Sequence, residues 1–91
     1  MHYEWDEAKR RSNIQKHGID FIEIENVFAG KTVTILDDRF DYGERRFVTV
    51  GLLKGRAVVI GHTETHEVIR IISVRKATRN EKIKYFEEIE D

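Results

Sequence analysis

The sequence contains no cysteine, which excludes both a disulfide framework and a thiolate metal site. It contains no long apolar run either. The amino-terminal stretch MHYEWDEAKRR lacks the apolar core of about 7–15 residues that a signal peptide needs. Nothing nears the roughly 18 apolar residues of a membrane span. These absences lead to the expectation of a soluble, cytoplasmic protein with no membrane partner. An excess of one charge is missing as well: 16 Lys and Arg face 17 Asp and Glu, for a formal net charge of −1. That balance argues against a nucleic-acid binder coated in positive charge and leaves room for one with a localised patch. Repeats, low-complexity tracts and linkers are lacking, and proline is absent. Residues 1–91 therefore read as a single domain.

What is present is a small core with strong patterning. At 91 residues, 40% apolar and 36% charged, the chain suits one core of two layers and a surface site rather than an enclosed cofactor cavity. No cofactor is expected. HYEW reads as a short first strand, and DEAKRRSNIQKHG as a helix capped by Asp6 and closed by Gly18. Asp20 and Glu23 form a capping box, with Ile19 and Ile24 at the spacing of a hydrophobic staple. Phe21, Ile24, Val27 and Phe28 then line one helical face up to Ala29-Gly30. TVTIL, residues 32–36, alternates as a half-buried strand.

After the polar loop DDRFDYGERR, the runs FVTVGLL and AVVIGH flank Lys54-Gly55 as a tight hairpin. TETHE reads as a polar turn and VIRIISV as a central strand covered on both sides, by the chain itself or in part by a partner. Thr78 and Glu81 form a second capping box, opening a last helix with the apolar stripe Ile83, Phe86 and Ile89. Trp5, Phe21, Phe28, Phe47 and Phe86 are the expected aromatic core. The order β-α-α-β-β-β-β-α, with short later connections, predicts an α+β two-layer domain whose helices are segregated from a mostly antiparallel sheet.

Charge is unevenly spread. RIISVRKATRNEKIKY, from Arg70 to Tyr85, holds six Lys or Arg and one acid, Glu81. Arg75 and Lys76 precede the last helix, Arg79 lies in its first turn, and Glu87, Glu88, Glu90 and Asp91 crowd its end. Both ends are thus charged against the helix dipole, at about 0.3–1 kcal/mol per misplaced charge. An anion at the helix start, phosphate above all, explains this through free N–H groups, the dipole and converging cations. A solvated charge run, with arginines paired to nearby carboxylates, explains it equally. Arg70 interrupts an apolar strand and needs a carboxylate, solvent or a ligand. Strict alternation puts it on the opposite face from Arg75.

His62 and His66 are four apart, a spacing that serves a metal only on a helix, and here they flank a turn. No metal site is expected. His17, just before Gly18, suits a helix C-terminus as an imidazolium, a structural role that competes with catalysis. Tyr85 is either a phenolic acid in phosphoryl chemistry or an amphipathic residue at the edge of the core. It shares no helical face with Arg79. Phe40 and Tyr42, in the polar loop with Arg39, Arg45 and Arg46, either stack bases or anchor the loop. No P-loop, G-x-G-x-x-G turn, H-E-x-x-H pair or nucleophile elbow occurs. Cations with one or two proton donors are the chemistry this inventory supports.

YEWDEAKRRSNIQKHGIDFIEIENVF, with RIISVRKATRNEKIKYFE at the far end, resembles the BrnT family of toxins from bacterial type II toxin–antitoxin pairs. The most specific parts are Trp5-Asp6 with Lys9, Asn13, Lys16-His17-Gly18, and Arg70-Ile71-Ile72-Ser73 through Arg75, Ala77 and Arg79. Val74 stands where the family usually has Ala. The resemblance implies a RelE-like fold and an endoribonuclease that arrests growth by cutting RNA, free or on the ribosome. It also implies neutralisation by a cognate antitoxin whose own domain contacts operator DNA.

Carried over by residue, it implies catalytic roles for Arg75, Arg79, Tyr85 and His17, and substrate contacts from Arg70 and Lys9. The neighbouring cations Lys76 and Arg45 join that expected substrate set. The implied reaction is metal-independent attack of the RNA 2′-hydroxyl on the adjacent phosphate. A non-catalytic binding module, an inactive toxin homologue or a DNA-associated regulator, is the alternative.

Overall fold

The computed structural model describes residues 1–90. Its elements are β1 (His2–Trp5), α1 (Glu7–His17), a 3-10 turn (Phe21–Glu23) running into α2 (Ile24–Phe28), β2 (Val33–Asp37), β3 (Arg46–Leu53), β4 (Arg56–Thr65), β5 (Val68–Lys76) and α3 (Arg79–Glu90). The Asp6 carboxylate accepts from the Ala8 and Lys9 N–H groups, and Gly18 closes α1 at φ 69°. The helix expected from Asp20 is instead split in two. Asp20 accepts from Ile22 N–H and holds Arg10 with both oxygens at 2.8 and 2.9 Å. Glu23 reaches Lys54 at 3.0 Å rather than turning back to complete the capping box. The first turn tightens to 3-10, and α2 is short.

The five strands form one sheet in the order β1-β5-β4-β3-β2. β1 runs parallel to β5, and the remaining pairs are antiparallel. β4 is therefore the middle strand, and β5 sits beside it. The β3–β4 hairpin turns through Lys54 and Gly55 with φ of 51° and 79°, the left-handed pair that matches strand twist. The β4–β5 turn is shorter than TETHE suggests. β4 continues to Thr65, which pairs with Val68, so only His66 and Glu67 turn the chain.

One sheet face buries Ile60, Ile69, Ile71 and Val74 against Phe21, Ile24 and Val27. Fully burying a side chain of this kind contributes about 1.5–3 kcal/mol. The other face carries Ala57 and Val59 with Val48, Val50 and Leu52, packed with Ala77, and there α3 lies. Helices thus cover both faces, correcting the two-layer expectation. The Ala77 N–H bond to the Ala57 carbonyl (3.0 Å) and the Thr78–Glu81 box fix the rotation of α3. Tyr85 is consequently the residue buried, at 2% exposure, while Ile83 and Phe86 stay 46% and 39% exposed. The 83-86-89 stripe is not the packing face, and Phe86 is not core.

β5 carries a bulge. Gly61 pairs with Ser73 and His62 with Ile71, leaving Ile72 unopposed, and an extra residue shifts the alternation beyond it. Val74 accordingly joins Ile69 and Ile71 in the first core. Arg75 falls on the same face as Arg70, which reverses the parity reading. β1 ends opposite Ile71, so the outer edge of β5 would be bare beyond that point. Asn13 of α1 covers it: its Oδ1 accepts from Val74 N–H and its Nδ2 donates to the Ile19 carbonyl, both at 3.0 Å.

His62 lies inside β4 rather than beside a turn. It is fully buried, between the edge of Phe28 and the stacked ring of Phe47. Its Nε2 bonds Thr49 Oγ1 at 2.7 Å, and that hydroxyl bonds Thr34 at 2.7 Å. Burial pushes its pKa down, so the native state resists a proton that the unfolded chain accepts. Stability should hold above pH about 6.5 and fall by as much as ~1.4 kcal/mol per pH unit below it. Thermal melts between pH 7.5 and 5 check this, and His62→Gln should flatten the dependence. Asp37 and Glu81, each held down to about 2, lose their contribution only at lower pH, below the ordinary carboxylate range.

Candidate phosphate site at the edge of β5

The bulged segment of β5 forms a crest with a depression on each side. Toward α1, Lys16 and His17 converge with Arg75, Lys76 and Thr78 around a shallow basin of about 480 Å³. A smaller basin of about 220 Å³ adjoins it, lined by Lys9, Ser12, Asn13, Lys16 and His17 with Ile72 and Ser73. Together they hold four permanent cations and one imidazole, and among the described residues no Asp or Glu lines either. Asn13 sets this geometry, because it ties the α1 face carrying Lys9 and Lys16 to the β5 backbone. That face was legible: Lys9, Asn13 and Lys16 recur at i, i+4 and i+7, a polar stripe on a helix that packs by polar contacts. Lys16 and Ser12 are the additions that this signal supplies.

The start of α3 is already occupied. Arg75 donates from both terminal nitrogens to the two oxygens of Glu81, at 2.7 and 2.9 Å. Glu81 also accepts from Thr78 N–H at 2.8 Å. The anion on which the Thr78 N–H and the Arg75 cation converge is thus the chain's own carboxylate. The fork from Arg75 is the first cause of the low pKa of Glu81, about 2, and the pair pushes the guanidinium up. Arg75 also donates to the Lys76 carbonyl at 3.2 Å. Its side chain nevertheless remains 39% exposed, and its Nε–H has no bond among the described residues.

On the other side of the crest, a groove of about 380 Å³ opens on the α3 face. Its wall is the loop after β2, organised by Asp37. That carboxylate accepts from Arg39 Nε and Nη2 (2.9 and 3.0 Å) and from the Tyr42 hydroxyl (3.2 Å). The Arg46 guanidinium lies 4.0 Å from the Tyr42 ring centre. Tyr42 is an anchor of the loop, whereas Phe40 stays exposed.

Other residues named from sequence stand apart. Arg70 is on the groove face but pairs with Glu4 at 3.2 Å and lines neither the basin nor the groove. Arg79 is exposed at the first position of α3 and also lines neither. Arg45 sits 5.8 Å from the Phe47 ring. Tyr85 donates its hydroxyl to the Lys31 carbonyl at 2.8 Å, and burial pushes its pKa up. Among the described residues, no three His, Asp or Glu converge as a metal site, and no helix is long and apolar enough to cross a membrane.

No curated protein matches the chain. The sequence does match one protein family, described as "Ribonuclease toxin, BrnT, of type II toxin-antitoxin system", over residues 5–81. That span contains α1, the crest and every lining residue of the basin, and it stops short of Tyr85. With most of its length in that match, and with the site inside it, the chain belongs to the BrnT family of ribonuclease toxins of type II toxin–antitoxin systems.

Proposed function

We propose that the chain is a cytoplasmic endoribonuclease of RelE-like fold that holds the scissile phosphate in the basin between α1 and β5. One observation carries the reading: α1 and the end of β5, far apart in sequence, place Lys16, His17, Arg75 and Lys76 around one acid-free depression. The RNA 2′-hydroxyl attacks the adjacent phosphorus, the P–O5′ bond breaks, and a 2′,3′-cyclic phosphate and a 5′-hydroxyl result. Arg75, Lys76 and Lys16 stabilise the charge that develops on the phosphoryl oxygens. His17, exposed beside them, carries the proton to the leaving 5′-oxygen. Tyr85 has no part in this step, because its hydroxyl is already donated to Lys31. No metal is required, since the cations supply the charge.

A cognate antitoxin neutralises the enzyme by covering this basin with acidic side chains, and operator DNA is contacted through the antitoxin. The test is incubation of the purified chain with RNA in a metal chelator. Products ending in cyclic phosphate support the reading, and intact RNA overturns it. The Arg75–Glu81 pair favours one second reading, a binding module whose key cation is permanently neutralised. Operator or partner binding without cleavage or growth arrest would establish that instead.

A further inference from the structure

We infer that the groove across the crest from the basin is a nucleobase pocket, receiving the base beside the bound phosphate. The inference rests on the ribonuclease reading and adds a recognition site to it. Charge separates the two depressions. The groove is lined by Arg39, Arg46 and Arg75 but also by Asp37, Asp38 and Glu81, so its formal charge is zero. Each arginine is already committed, to Asp37, Glu44 and Glu81 respectively. A phosphate finds no net positive charge there. A base needs a flat apolar surface, a stacking partner and unspent hydrogen-bonding groups, and these are present.

Val48 and Val59 line the floor, and Gly61 keeps it open: a Cβ there would lie 2.9 Å from Ser73 Oγ. The Arg46–Tyr42 pair forms a planar wall. At about 380 Å³ the groove falls at the lower end of small-ligand sites, about 300–1,000 Å³. Asp38 and Ser73 line it, and neither side chain makes a hydrogen bond among the described residues. Guanine is the base whose pairing edge offers two parallel N–H donors to one carboxylate, so the pocket selects guanine. Arg75, Ser73 and Ile72 border both depressions, which puts the base and its phosphate on opposite sides of one crest. Phosphate contacts then position the RNA and the base contact specifies it.

The experiment is titration of the isotope-labelled full chain with the 5′-monophosphates of guanosine, adenosine, cytidine and uridine, followed by amide chemical shifts. Inorganic phosphate serves as the control. Guanosine monophosphate should shift Tyr42, Gly61 and Ser73 and bind more tightly than the other three. Inorganic phosphate should shift only Lys16, His17 and Lys76. Asp38→Asn, on an exposed loop, should weaken guanosine monophosphate roughly tenfold or more and move cut sites in RNA away from guanine. Gly61→Val should close the floor, and Asp38→Asn keeps the test open if that variant does not fold. Shifts confined to the basin with every nucleotide, or equal affinity for all four, overturn the pocket. Guanosine monophosphate bound in the groove of a chain that cuts no RNA upholds the pocket and overturns the catalytic reading.

Discussion

Arg75→Ala should lower RNA cleavage by about 10²–10³-fold, the usual loss when one preorganised donor to a developing oxyanion is removed. Growth arrest on expression in bacteria should disappear with it. Arg75→Lys should not restore activity, because an ammonium cannot reproduce a planar fork that bridges both oxygens of Glu81 and keeps a further N–H donor. A fold defect could imitate the result, since Arg75 also braces the start of α3 through Glu81. Glu81→Gln weakens that brace but leaves the guanidinium, so it should retain cleavage at a lower melting temperature. Cleavage by Arg75→Ala at the wild-type rate would remove the basin from consideration. His17→Ala should behave differently, lowering the cleavage rate while binding RNA as before.

Asn13→Ala should cost about 2–4 kcal/mol of stability. Its amide satisfies the Val74 N–H and the Ile19 carbonyl, and a buried backbone group left without a partner costs about 1–3 kcal/mol. In a domain of this size each kcal/mol lowers the melting temperature by about 4–8 °C. Asn13→Asp should be intermediate, since it keeps the acceptor for Val74 and loses the donor. The same bonds hold α1 against β5, so Asn13 positions Lys9, Lys16 and His17 without touching substrate. KM for RNA should therefore rise in Asn13→Ala at temperatures where the protein is still folded. A variant that melts normally would show that the two bonds are replaced by water.

These expectations depend on features of unequal legibility. The caps at Asp6, Gly18 and Thr78, the Lys54-Gly55 hairpin and the strand runs could be read directly, because each is governed by side chains and dihedrals within a few residues. The second helix misled, since Glu23 found Lys54 in the β3–β4 turn rather than its own backbone. The stripe of α3 misled for a related reason. Ile83, Phe86 and Ile89 have helical spacing, but the bond from Ala77 to Ala57 rotates Tyr85 toward the sheet. His62 looked like the last residue before a turn because nothing local reveals that β4 runs three residues past it.

The family, the inventory of strands and helices, and the gathering of cations between Arg70 and Tyr85 were all legible along the chain. Local propensity, capping and motif spacing are properties of neighbouring residues, and they survive without the rest of the fold. Which of those cations lie together was settled by tertiary contacts. The unopposed Ile72 put Arg75 on the face of Arg70, Glu81 claimed the helix start, and Asn13 drew Lys16 and His17 to the crest. Each of these depends on a partner distant along the chain, and alternation or helical periodicity counted along one segment carries no information about such partners.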